Sequence, residues 1–154
     1  MASQHPLQAR NEDLYDVLGT CRLVADRKEM SKTSGSSEEF IAILQYRYKT
    51  LLSARADKNP GAFKDRNNFA GQTAFVAYEL VRGTLIKSFD FYQTLQYPFA
   101  RAVYIKFIVS EVRPFLDGNG RVARVMMNAE LMNANQTRII IPTVYRDDYM
   151  GALQ

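Results

Sequence analysis

Between Pro98 and Val112 the only strongly polar side chains are Arg101, Lys106, Ser110 and Glu111, and this stretch runs without a break into Arg113-Pro114-Phe115-Leu116-Asp117-Gly118-Asn119-Gly120. A helix that is apolar over most of its circumference has to sit inside a bundle. The spacing therefore predicts a central helix over 98–112. A second helix over about 120–134 follows at once, with Val122, Val125, Met126, Ala129 and Met132 turned inward. Two packed helices joined by a glycine-bearing turn define the middle of the fold, and the remaining segments must pack around them.

Residues 11–27 place Leu14, Val17, Leu18, Cys21 and Val24 or Ala25 at i, i+3, i+4, i+7 spacing, which predicts a helix. After a polar loop at 31–37, Ser36 and Glu39 form a capping pair ahead of Phe40, Ile43, Leu44, Tyr48, Leu51 and Leu52. A helix over about 37–56 follows from that pattern. Asn59-Pro60-Gly61 breaks it. From 60 to 76 there are turn residues and isolated aromatics but no helical period. This predicts short strands around Ala62–Lys64 and Asn68–Gly71, forming a hairpin or ordered flap. Helix returns over about 78–94 through Leu80, Val81, Leu85, Phe89 and Tyr92. Residues 138–144 read as extended and stopped by Pro142; Tyr145 onward starts a further helix that ends uncapped, as though cut. The expected fold is one mainly α domain over 1–154. It has N-terminal helices over 1–59, a flap over 60–76 and a core over 77–154.

Composition narrows the chemistry. With 47% hydrophobic and 23% charged residues of mixed sign, the chain is not a disordered one. No apolar run is long enough to span a membrane, and MASQHPLQAR lacks the basic flank and apolar stretch of a signal peptide. The chain reads as soluble and cytoplasmic, with no membrane partner. The single cysteine, Cys21, and the single histidine, His5 in a loose N-terminal tail, argue against a disulfide. They argue equally against a thiolate or histidine metal site, or a Ser-His-Asp triad, inside the fold. A net charge of +4 is a mild bias and argues against a dedicated nucleic-acid binder. The basic residues Arg47, Lys49, Arg55, Lys58, Lys64 and Arg66 cluster against Asp57 and Asp65. They read as a solvated face ahead of an anion-binding patch.

The segment 113–124, Arg-Pro-Phe-Leu-Asp-Gly-Asn-Gly-Arg-Val-Ala-Arg, carries the chemistry. The first N–H groups of a helix are unpaired and sit at the positive end of its dipole. Gly118 and Gly120 let successive N–H groups converge into an anion nest. Arg121 and Arg124, three residues apart, project near the same side, and guanidinium matches phosphate oxygens best. Asp117 would repel the same anion unless it holds Mg²⁺, which bridges a carboxylate to substrate phosphates. A polyphosphate with magnesium is the natural ligand.

This string resembles the signature of Fic-domain (Fic/Doc) proteins, H-P-F-x-[DE]-G-N-G-R-x-x-R, at every defined position except the first. Residues 59–76 resemble the family's flap, and the stretches 77–89, 98–112 and 138–149 resemble its core segments. The resemblance implies a Fic-type helical bundle with a short β-hairpin flap over the nucleotide loop. It implies transfer of AMP from Mg-ATP to a Ser, Thr or Tyr hydroxyl of a target protein. Asp117 would hold Mg²⁺, and the Gly118-Asn119-Gly120 backbone would cradle the phosphates. Asn119 and Arg121 would contact the α/β region, and Arg124 would reach the far phosphate. Phe115 would be a buried anchor, and the flap residues Phe63, Asn68, Phe69, Ala70 and Gly71 would dock the target. The second arginine favours adenylylation over the phosphorylating Doc-like branch.

Arg113 stands where the family has its general-base histidine. Guanidinium presents only donors and cannot take the hydroxyl proton, so the resemblance implies an impaired adenylyltransferase. The alternative is a non-catalytic module that binds a nucleotide or a partner. Arg113 fits a natural pseudoenzyme and an introduced silencing change equally well. The family's inhibitory [ST]-x-x-x-E-[GN] motif has its nearest counterpart at Ser34–Glu39, where Ser36 and Glu39 already serve as a helix cap. The inhibitory helix would then be absent, supplied by an antitoxin-type partner, or in sequence not present in this chain.

Overall fold

The computed structural model describes residues 6–141 and the helical Gly151. The expectations for His5, for Pro142 and for the rest of a helix from Tyr145 lie outside the described residues. In chain order the elements are α1 (Pro6–Ala25), α2 (Ser37–Leu51), β1 (Phe69–Ala70), β2 (Thr73–Ala74), α3 (Val81–Thr94), α4 (Pro98–Val112) and α5 (Asn119–Asn133). Short 3₁₀ turns lie at Glu29–Ser31, Ala56–Lys58 and Tyr78–Leu80. The fold is mainly helical, as expected, with a single small antiparallel pair among the described residues that matches Phe69 with Ala74 and Ala70 with Thr73. Among those residues no helix is long and apolar enough to cross a membrane.

Ser36 starts α2 as the spacing predicts. Its Oγ accepts the Glu39 N–H at 3.2 Å, and the Glu39 carboxylate reaches back to the Gly35 N–H at 2.7 Å. Below the cap, Phe40, Leu44, Tyr48, Leu51 and Leu52 are buried against Leu85 and Phe89 of α3, Ile105 and Val109 of α4, and Val122 and Met126 of α5. The helix closes at Leu51, earlier than the expected end near 56.

α1 carries its apolar stripe on the outside. Leu14, Val17 and Leu18 are 55%, 56% and 45% exposed, Cys21 is exposed, and the buried positions are Asp16, Gly19 and Leu23. Close approach decides the orientation. A Cβ on Gly19 would collide with the Leu51 carbonyl and come within 2.9 Å of the Thr50 carbonyl oxygen. The glycine face therefore lies flat on the end of α2, and the apolar stripe is left outside.

α4 is buried on one side only. Ala102, Ile105, Val109 and Val112 face α3 and α5, whereas Phe99, Val103 and Phe107 are exposed, so it is not enclosed as expected. Leu80, at the end of the 3₁₀ turn before α3, is likewise exposed, while Val81, Leu85, Phe89 and Tyr92 of α3 are buried. The first predicted strand, Ala62–Lys64, is not a strand; the hairpin forms later, around Gly71, whose φ of 59° makes the turn.

The basic cluster forms the expected solvated face only in part: Lys49 and Arg66 are exposed, but Arg47 and Lys64 are buried. Arg47 is 1% exposed, donating from Nη2 to the carbonyls of Glu29 and Lys32 at 2.8 and 2.9 Å and from Nε to the Glu29 carboxylate at 3.3 Å. Burial pulls its pKa down against the pull of Glu29. Lys64 is also buried, and Arg55 is shared among Glu12, Asp16 and Asp57.

Glu130 of α5 accepts the Tyr92 hydroxyl at 2.8 Å, and burial raises its pKa above the ordinary glutamate value of 4.5. Between that value and the raised one, the folded protein holds a proton that the unfolded chain has lost. The unfolding free energy therefore falls as pH rises through this window. Glu130→Gln, which keeps the acceptor for Tyr92, is expected to flatten that fall. Its gain over the parent, measured by urea unfolding at a series of pH values, should grow from pH 4 upward. A constant difference would contradict the assignment.

Candidate functional site

α4 ends at Arg113, whose backbone is left-handed (φ 45°, ψ 66°) while its N–H still donates to the Val109 carbonyl at 3.2 Å. A non-glycine residue seldom adopts this conformation; here it turns the chain out of the helix, and Pro114 prevents its return. Phe115 then drops into the core. It is fully buried, stacked on Tyr48 with centroids 3.7 Å apart, and tilted against Phe63 at 5.6 Å. Tyr48 donates to the Lys58 carbonyl at 2.7 Å; burial, and then the Asp117 charge, push its phenol pKa up.

Asn119 closes the loop. Its Oδ1 accepts the Phe115 N–H at 3.0 Å and its Nδ2 donates to the Phe115 carbonyl at 2.9 Å. The side chain expected at the phosphates is thus engaged by the loop's own backbone. Gly118 (φ 69°) leads into α5 without a capping side chain, and Asp117 Oδ1 accepts the Gly118 N–H at 2.6 Å. The first bond within α5 runs from the Val122 N–H to the Gly118 carbonyl at 3.0 Å. The N–H groups of Asn119, Gly120 and Arg121 are the ones this helix cannot satisfy internally.

Both arginines fold back over the turn. A Cβ on Gly118 would lie 3.8 Å from Arg121 Nη2, and one on Gly120 would lie 3.6 Å from Arg124 Nη1. The structure therefore brings Asp117, Gly118, Gly120, Arg121 and Arg124 together as the spacing predicts. Arg121 and Arg124 also line a cleft of about 280 Å³ with Val24 of α1, Val125 and Asn128 of α5, and Ile139. Cations at a glycine turn beside an apolar wall suit an anion that carries an uncharged body. Among the described residues no group of three His, Cys, Asp or Glu could cage a metal. Asp117 alone could hold Mg²⁺ only if further ligands came from a bound molecule.

The flap is stapled to this loop. The Lys64 N–H donates to the Pro114 carbonyl at 2.8 Å, and its Nζ donates to Asn68 Oδ1 at 2.7 Å and to the Val112 carbonyl at 3.5 Å. Asn68 Nδ2 donates onward to the Phe115 carbonyl at 3.1 Å. Burial, and then the Arg113 charge, pull the Lys64 pKa down. The Arg113 guanidinium lies over the Phe75 ring, 4.0 Å from its centroid, a cation–π contact between loop and flap. Phe69, Ala70 and Gly71 are exposed at the tip, whereas Phe63 packs at the base against Phe115. Sequence reasoning did not single out Tyr48, Lys64 or Phe75 for the site. It also missed Asp16 of α1, whose Oδ2 accepts from Arg121 Nη1 at 2.6 Å. Phe75 was visible as one of the isolated flap aromatics; Asp16 had no sequence signal.

The sequence model of the Fic/DOC family matches residues 36–131, from the cap of α2 into the last turns of α5. A Fido domain-containing protein of Dictyostelium discoideum is 28% identical over 99 residues, covering 61% of this chain and 69% of that protein. The protein adenylyltransferase Fic of Drosophila persimilis is 40% identical over 58 residues, which cover 38% of this chain and 11% of that protein. A Fic domain containing signaling protein from Bacteroides thetaiotaomicron superposes with a TM-score of 0.70 at 17% identity, over 99% of this chain and 59% of its own. Fic-1 from C. elegans gives 0.70 at 23% identity, over 99% of this chain and 45% of its own. The chain thus spans roughly half the length of these solved structures, and at such identities the likeness concerns the fold.

If the Asn119 amide is what holds the loop, Asn119→Ala should destabilise the ligand-free protein by about 1–3 kcal/mol, since the buried Phe115 N–H loses its acceptor and the Phe115 carbonyl keeps only the Asn68 amide. Chemical unfolding without nucleotide measures this. Parent-like stability would mean that the loop is held by other contacts.

Proposed function

The chain belongs to the Fic/DOC family, and on that premise we propose that it carries a Mg-ATP site of the protein adenylyltransferase type whose transfer step is impaired by Arg113. The observation that carries the reading is the pair of guanidiniums, Arg121 over Gly118 and Arg124 over Gly120, at the uncapped start of α5. Two planar cations and a set of convergent N–H donors match the oxygens of a polyphosphate better than any other common ligand. Asp117 would hold Mg²⁺; when bound, the ion would neutralise part of the triphosphate charge and offset the carboxylate. The Asn119 side chain keeps the turn in shape, and the cleft lined by Val24, Val125 and Ile139 would receive the uncharged part of the nucleotide.

In AMP transfer, the target's hydroxyl oxygen forms a bond to the α-phosphorus, the bond to the bridging oxygen breaks and pyrophosphate leaves. The hydroxyl proton needs an acceptor. Arg113 holds the position from which a base would take it, but guanidinium has no lone pair available at neutral pH. Its stacking on Phe75 favours a second reading, a nucleotide- or partner-binding module. In that reading Arg113 fastens the flap and is not part of a reaction. In the first reading, the exposed tip at Phe69, Ala70 and Gly71 would receive the segment bearing the hydroxyl. An antitoxin-type inhibitory partner is compatible with either.

Two measurements test this. Incubation with α-labelled ATP and Mg²⁺ should leave the parent unlabelled and the Arg113→His variant labelled by self-modification, with a gain of about 10²–10⁴-fold. Equal labelling of both would show that Arg113 does not disable transfer. No labelling of either, with ATP still bound, would favour the binding module. In a parallel titration of ATP, Asp117→Ala and Arg124→Ala should each weaken binding at least about 10-fold, because charge-assisted contacts are lost. Unchanged affinity in both would sink the phosphate-loop assignment.

A further inference from the structure

Asp16 is a charged residue on the buried face of α1, 5% exposed, and packing alone gives no reason for it. Its Oδ2 accepts from Arg121 Nη1 at 2.6 Å and lies 3.6 Å from Arg55 Nη1. Its Oδ1 is buried and has no hydrogen-bond partner among the described residues. A buried carboxylate with an unfilled oxygen is costly, and an apolar side chain in the same place would avoid that cost. The residue is also held at a fixed height. Gly19, one turn further along α1, rests on the carbonyls of Thr50 and Leu51, so α1 cannot slide. Arg55 is tied in turn to Glu12 at 3.5 Å and Asp57 at 3.3 Å, which keeps the carboxylate from following Arg121 outward. Among the described residues, Arg121 is thus gripped on one edge only. Its Nη1 is on Asp16, while its Nη2 sits over Gly118, 3.8 Å from where a Cβ would be.

We propose that Asp16 is a positioning residue for the loop, holding the Arg121 guanidinium across the mouth of the Gly118–Gly120 turn so that its remaining N–H groups meet a phosphate oxygen. The proposal rests on the polyphosphate reading above and extends it. Asp16 lies outside residues 36–131, the segment that matches the family, so the anion site would be completed by a helix from beyond that segment. A freely rotating arginine would lose conformational entropy on binding each anion; one already fixed by a carboxylate does not. Charge alone argues the opposite way. Removing a carboxylate beside an anion site should tighten polyanion binding. The sign of the effect therefore separates positioning from electrostatics.

The test uses the full chain with Asp16→Asn, Arg121→Gln and the double variant, titrated calorimetrically with Mg-ATP and with inorganic tripolyphosphate. Asp16→Asn is expected to weaken both ligands by roughly 10-fold in the parent background, the size of one charge-assisted hydrogen bond. In the Arg121→Gln background it is expected to change affinity by less than about 2-fold, because its action passes through Arg121. Unchanged or tighter binding by Asp16→Asn overturns the proposal, and so does equal weakening in both backgrounds, which would mark a merely structural role. A second readout needs no ligand. In ¹⁵N NMR the Arg121 guanidinium should rotate slowly in the parent and freely in Asp16→Asn. If the parent binds neither probe, the nucleotide reading fails by itself. The guanidinium signal then decides the positioning: hindered only in the parent supports it, and free in both overturns it.

Discussion

The burial of Phe115 is the interaction on which the rest of the site depends. One ring, stacked on Tyr48 and tilted against Phe63, ties the turn between α4 and α5 to α2 and to the base of the flap. Both of its backbone polar groups are answered by Asn119, and its carbonyl is shared with Asn68. An irregular turn buried this deeply is stable only if its N–H and C=O groups find partners off the regular ladder. Here those partners are side-chain amides in the turn and the flap. The glycines and arginines can then point outward because the turn is held from within.

Buried charge does a similar service on the far side of the bundle. Arg47 reaches the carbonyls of Glu29 and Lys32 and the Met126 sulfur, so one side chain fastens the 3₁₀ turn after α1 to α2 and α5. Its desolvation is offset by the Glu29 carboxylate and by two carbonyl acceptors. Removal of the guanidinium would leave Glu29 buried with only Lys32 to answer it. The Arg47–Glu29 pair ties the turn after α1 to α2, and the Asp16–Arg121 pair ties the middle of α1 to α5.

Much of this was legible in the sequence, and the exceptions have a common cause. α2, α4 and α5 were read within a few residues, except that α2 stops about five residues early. Their starts are set by local rules: a Ser36 cap, a proline at the first turn of α4, and a glycine turn before α5. The loop residues Asp117, Gly118, Gly120, Arg121 and Arg124 were legible because the spacing itself forces their proximity. What failed depended on contacts distant in sequence. The stripe Leu14–Val17–Leu18–Cys21 gave the helix but did not show which face is buried. A glycine's close fit to α2 and an aspartate's reach to two arginines outweighed apolar area. Likewise, Arg47 and Lys64 looked like surface charges because their acceptors are mostly carbonyls, which carry no sequence signal. The flap strands shifted because residues of the 62–64 stretch, through the Lys64 N–H and the Phe63 ring, attach to the loop and not to another strand.

The bond between Asp16 and Arg121 closes a chain segment of 105 residues. Closing so long a loop has a high entropic cost and is favoured only once the intervening helices have packed. Destabilising the seat of Gly19 on α2 would then release Arg121 while leaving Phe115 buried. An open form of that kind would keep its core and its helical content and lose only the grip on one guanidinium. Such a local opening has a free energy well below that of global unfolding, and hydrogen exchange along α1 would report it separately from the rest of the bundle.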